Sequence, residues 1–99
     1  MATDWHRINF DDAIGTSFQG FISATSLQLE IVLGEPELTA DSMQMVGYVL
    51  NWFVKFDDGI IASVYSDDRD PADRWRVGGH DTRALLMMAE LLEAKVTRR

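Results

Sequence analysis

The stretch that most constrains this chain is Val46-Gly-Tyr-Val-Leu-Asn-Trp-Phe-Val-Lys-Phe-Asp-Asp-Gly-Ile-Ile-Ala-Ser-Val-Tyr65. β-Branched and aromatic residues bracket an Asp-Gly pair that tolerates positive φ, the pattern of a β-hairpin. Turn length decides which side chains share a face. A two-residue loop, Asp58-Gly59, sets Phe56 against Ile61 and Val54 against Ser63, and mixes apolar with polar groups on both faces. A three-residue loop, Asp57-Asp58-Gly59, with Gly59 as the left-handed bulge residue, sets Phe56 against Ile60, Val54 against Ala62 and Trp52 against Val64. The second register is expected because it sorts the side chains. Leu50, Trp52, Val54, Phe56, Ile60, Ala62 and Val64 make an apolar face; Asn51, Phe53, Lys55, Ile61, Ser63 and Tyr65 make a mixed one.

The remaining elements follow from shorter signals. Residues 1–15 carry Trp5, Ile8, Phe10 and Ile14 without a period and read as an irregular arm, with room for a turn or short strand; residues 16–99 form a single α+β domain. Ser17 to Ser23 alternates as a strand in which Gly20 marks a bulge or a close backbone approach. Thr25-x-x-Gln28 is a capping box, Leu27 and Ile31 are four apart, and Gly34 then Pro36 stop the segment, which predicts a helix over Ser26 to Leu33. Residues 35–44 read as a polar connection and the hairpin as beginning near Met45. After the hairpin comes an aspartate-rich loop, Ser66 to Asp73, then an alternating strand, Arg74-Trp-Arg-Val77. Asp81 is a good N-cap for a last helix from Thr82 to about Thr97. The expected fold is α+β: an antiparallel sheet of about four strands, in the order β-α-β-β-β-α, with two helices on one face.

Apolar residues cover roughly 220° of the last helix, whereas a helix lying on one sheet needs only about 100°. Either the Ser26 to Leu33 helix covers the surplus, or a second copy does, most simply in a two-fold homodimer through Met87.

Ninety-nine residues suit one domain, and an apolar content of 46% suits a packed interior. With no cysteine, disulfides and thiolate metal sites are excluded, and a reducing cytoplasm is the natural compartment. No secretory or membrane-spanning segment is expected, because the longest apolar run, Ala84 to Ala89, is far too short. A formal charge of −7 leaves no basic excess for direct nucleic-acid binding. The same charge lets a surface imitate a phosphate backbone, although acidity also serves plain solubility.

Trp75 and Val77 belong on the apolar side of the sheet, which puts Arg74 and Arg76 on the mixed side with Lys55, Phe53 and Tyr65. Phe53 or Tyr65 then stacks a base while Lys55, Arg74 and Arg76 neutralise phosphate. Alternatively the acidic loop, Asp67, Asp68 and Asp70, meets a protein partner, or the face is an ordinary solvated one whose cations balance those aspartates. As an exposed sheet position, Arg76 is expected to tolerate reversal to Glu. Calcium at the aspartates lacks the EF-hand's glycine and bidentate glutamate. Gly78-Gly79-His80, leading into a helix amino terminus, suits either an anion at His80 or simple turn geometry. No enzyme is expected, nor any metal or cofactor: His6 and His80 are the only histidines, and His80 beside Asp81 makes no triad.

Four segments taken together, Thr16-Ser-Phe-Gln-Gly20, Leu33-Gly-Glu-Pro36, Trp52-Phe-Val-Lys-Phe-Asp-Asp-Gly59 with Ala62-Ser-Val-Tyr65, and Trp75-Arg-Val-Gly-Gly-His80, resemble a family of small accessory proteins encoded by tailed bacteriophages. The resemblance spans most of residues 16–80. The longer amino-terminal arm departs from it, as does the aspartate-rich loop, where many members carry a longer insertion with a lysine. What the resemblance implies is a protein acting in the cytoplasm of an infected bacterium, which counters a defence system by binding and blocking a host defence protein, as anti-CRISPR inhibitors do. A sponge for an anionic nucleotide immune signal, and a virion or assembly component, are the alternatives it leaves.

Overall fold

The computed structural model describes residues 4–13, 15–40, 48–67 and 70–98. Ile14, residues 41–47, where the polar connection ends and the hairpin stretch begins, and Asp68 therefore lie outside the described residues. In chain order the elements are β1 (Trp5–Arg7), a 3-10 turn (Phe10–Ala13), β2 (Ser17–Ser23), α1 (Ser26–Leu33), β3 (Glu37–Ala40), β4 (Tyr48–Phe56), β5 (Ile61–Tyr65), β6 (Arg74–Gly79), α2 (Thr82–Leu92) and β7 (Lys95–Arg98).

The hairpin sets the frame, in the three-residue register. Trp52 pairs with Val64 and Val54 with Ala62, the Phe56 amide donates to the Ile60 carbonyl at 2.9 Å, and Gly59 has φ 89°. That angle is left-handed, a conformation glycine adopts without a Cβ clash. The sheet built on it is antiparallel and has seven strands. Six lie side by side as β1-β4-β5-β6-β2-β7, and β3 pairs with the other half of the β4 edge that β1 uses.

The expectation of about four strands is thus corrected by three short ones. β1 comes from the arm read as irregular, β3 from the stretch read as a polar connection, and β7 from the end of the helix read as running to Thr97. The last correction has a local cause. α2 stops at Leu92; Glu93 turns left-handed at φ 52°, ψ 41°, and the Ala94 amide donates back to the Ala89 carbonyl. Lys95-Val-Thr-Arg98 then alternates, and Val96 packs on the core opposite Ile22.

Both helices lie on the apolar face. Trp52, Val54, Phe56, Ala62, Val64, Trp75 and Val77 of the sheet meet Leu29 and Leu33 of α1 and Ala84, Leu85, Met88 and Leu92 of α2 in one core. Gly79 is where α2 comes closest, since a Cβ there would run into that of Ala84. Gly79 is thereby needed for packing. Trp52 and Trp75 meet edge to face, ring centroids 5.4 Å apart, and each turns its indole N–H to one end of α1: Trp75 donates to Ala24 O at 3.0 Å and Trp52 to Gly34 O at 2.8 Å.

The second face is not open. β1 lies beside β4 and β2 lies beyond β6, so residues 8–16 must cross four strand spacings, about 19 Å, against the sheet. The helices occupy the apolar face. Ala13 and Phe53 are buried outside the main core, and Thr16 sits with Phe53, Ser63 and Tyr65 around one hollow, so the crossing runs over the mixed face.

Candidate functional site

The pairing puts Phe53, Lys55, Tyr65, Arg74 and Arg76 on one face, in successive rows. It does not bring all five into one site. Arg76 stands opposite Tyr65, itself opposite Asn51; Phe53 lies one row further on with Ser63 and Gly78, and Lys55 one row beyond that, opposite His6 and Ile61. Two rows along the strands put Lys55 roughly 13 Å from the arginine row. Phe53 is only 5% exposed, so its ring is buried packing rather than a platform for a base.

The arginines are held from both sides. Asp70 accepts from Arg76 Nε at 2.8 Å and Nη2 at 3.4 Å, and from Arg74 Nη2 at 3.3 Å; the Asp67 carboxylate adds a longer contact with Arg76, 3.8 Å. On the other side lie aromatic rings of β2. Arg74 sits 4.5 Å over Phe21, and Arg76 lies 5.2 Å from Phe18 and 5.4 Å from Phe21. The Asp70 side chain is 4% exposed, and the Arg76 hydrogen bond, with Arg74 beside it, holds its carboxyl below the usual carboxylate range. The loop is folded to present it: the Asp70 amide donates to Asp67 O and the Arg74 amide to Pro71 O. Two arginines and two aspartates sum to no net charge. Burial raises the Tyr65 phenol, and Arg76 partly offsets this.

Sequence reasoning missed Phe18 and Phe21 as partners of these cations. Three residues apart on a regular strand they would face opposite ways, but the register shifts between Phe18 and Gly20. That bulge turns both rings to the mixed side, where they meet edge to face at 5.0 Å. Gly20 was the available signal.

Beside this cluster Thr16, Ser17, Phe18, Asn51, Phe53, Ser63, Tyr65 and Gly78 line a hollow of about 230 Å³ with hydroxyl, amide and aromatic groups but no charge. Gly78 is its floor, where a Cβ would approach Ser63 Oγ to 2.5 Å.

His80 is elsewhere, at the far end of β6. It lines a hollow of about 170 Å³ with Asp58, Gly59, Ile61, Asp81 and Arg83. Asp81 caps α2 by accepting from the Arg83 amide at 2.8 Å, and the Arg83 guanidinium closes on the same carboxylate at 2.8 Å. That pairing lowers the Asp81 carboxyl, and the Arg83 and Ala84 amides, two donors an anion would use, are engaged by Asp81. Asp68 falls outside the described residues. Among the described residues no group of His, Asp and Glu is arranged to hold a metal ion, and no helix is long and apolar enough to cross a membrane. No family model, curated protein or solved structure matches the chain.

Proposed function

We propose that the protein is a non-enzymatic binding domain that occupies and blocks a protein partner, which in the setting implied by the phage resemblance is a defence protein in the cytoplasm of the infected bacterium. The observation that carries this reading is the engagement of Arg74 and Arg76 by Asp70 inside the molecule. A nucleotide phosphate would have to displace a carboxylate that is itself nearly buried, and stranding such a charge costs about 3 kcal/mol or more. The carboxylates of Glu30, Glu35, Asp57, Asp58, Asp73, Glu90 and Glu93 all belong to exposed residues. An acidic exterior of that kind suits a basic protein surface better than an anionic signal.

Native mass spectrometry of the protein expressed in a bacterial host tests this. A protein adduct whose occupancy falls as salt rises supports the reading. A retained nucleotide mass overturns it in favour of the sponge.

A further inference from the structure

α1 is a short helix with an unusual allocation of side chains. Its inner positions, Leu29 and Leu33, are buried in the core, while Leu27 and Ile31, one turn apart on the outer side, are 63% and 74% exposed. With Leu86 they are the large apolar side chains left exposed among the described residues. Eight residues do not hold a helix in water, and this one is fixed from outside. Thr25 Oγ1 caps its first turn, the Trp75 and Trp52 indoles bind the carbonyls at its two ends, Arg7 Nη1 donates to Leu33 O and Glu35 O at 2.8 Å each, and Gln28 Nε2 donates to Leu92 O at 2.7 Å. Helix formation does not require Leu27 or Ile31 to be apolar, and the core does not use them.

The surroundings say what would cover them. Glu30 lies on the same outer stripe, three residues from Leu27, and Glu35 follows the helix. Asp73 is bonded through its carbonyl to the Ala24 amide, and Glu93 adjoins Leu92, whose carbonyl receives Gln28. No lysine or arginine occurs in α1, and the guanidinium of Arg7 is turned onto backbone carbonyls. A second copy would bring the same carboxylates against this stripe, with Glu30 near its own symmetry mate, and like charges in contact oppose association. We infer that the outer face of α1 is the docking surface for a protein partner that presents an apolar strip bordered by lysine or arginine. Leu27 and Ile31 are its anchors, Glu30, Glu35, Asp73 and Glu93 its rim, and the clamps at both ends of α1 pre-organise it. This rests on the protein-blocking reading above and names the surface that would do it.

The probe is a synthetic amphipathic helical peptide with leucine on one side and lysine on the other, titrated into isotopically labelled protein beside a scrambled peptide of the same composition. Amide shifts centred on residues 26–35 and reaching Asp73 and Glu93 at the rim, at least tenfold weaker binding by the scrambled peptide, and at least tenfold loss in the double variant Leu27→Ser, Ile31→Ser are expected. Because both side chains are exposed, the double variant should melt as the wild type does. Equal affinity for both peptides, or shifts centred on the Asp57-Asp58 turn, overturns this surface while leaving the protein-blocking reading intact. A wild-type dimer in sedimentation that Ile31→Ser dissociates also overturns it, by making a second copy the occupant.

Discussion

At Asp70 a carboxylate that is 4% exposed receives two guanidinium groups, so removing its charge leaves Arg74 and Arg76 with aromatic faces but a lost counter-ion. Asp70→Asn should therefore cost about 1 to 3 kcal/mol at neutral pH, below the value for a fully buried pair because both arginines are partly exposed. The Asp70 carboxyl is held below its ordinary value, so its contribution is complete above the unfolded value of about 3.9 and disappears as pH falls through the folded one. Urea unfolding of wild type and variant at neutral and acid pH should find two curves that converge in acid; a constant gap would mean that the loss is packing alone. Arg76→Glu, expected from the sequence to be tolerated at an exposed position, should instead cost about 2 kcal/mol or more, because it sets a second carboxylate against Asp70. The sequence placed Arg76 on the right face but not in this company. Strand alternation assigns faces, whereas the turn at Asp70-Pro71 that folds the carboxylate back onto arginines four and six residues later is a short-range contact that alternation does not show.

Elements with two or more strong local signals were legible, and those with one were not. The hairpin register follows from Gly59 and the sorting of side chains, and α1 from its Thr25 cap and Gly34-x-Pro36 stop. β1, β3 and β7 have three or four residues each, too few for alternation to be distinguished from chance, and each is a strand because a remote partner makes it one. The end of α2 illustrates this. Val96 falls within a helical apolar arc and equally within a strand's, and the pairing with Ile22 decides. The turn that makes the switch holds Glu93 in a left-handed conformation that a side chain adopts at a cost of about 1 kcal/mol. Glu93→Gly should raise the stability measured by urea unfolding by about 0.5 to 1 kcal/mol; a loss would show that the glutamate side chain makes a contact that outweighs the backbone. Trp52→Ala empties the core and releases Gly34 O together, and should cost about 3 to 5 kcal/mol.

Across the whole molecule, the wide apolar arc of α2 is largely spent within the chain. Met87 and Leu91 pack against the core with Val96, so α2 does not itself call for a second copy. Met87→Glu should lower stability by about 1 to 3 kcal/mol without changing the mass measured by light scattering; a halved mass at unchanged stability would put Met87 in an interface instead. The strand order β1-β4-β5-β6-β2-β7 also has a kinetic side. β4, β5 and β6 pair in the order in which they are joined, whereas β1 and β7 depend on remote pairings such as Trp5 with Phe56 and Gly20 with Arg98. Loop closure has to precede any gain from such contacts. β2 has no edge to join until β6 is seated, and β7 none until β2 is seated, so assembly proceeds outward from the hairpin and opening runs the other way. Native-state amide exchange should accordingly be fastest in β7, slower in β2 and slowest in β5 and β6. Because residues 8–16 tie β1 to β2 across Phe53, the release of β2 should expose β1 as well, in one cooperative step rather than two.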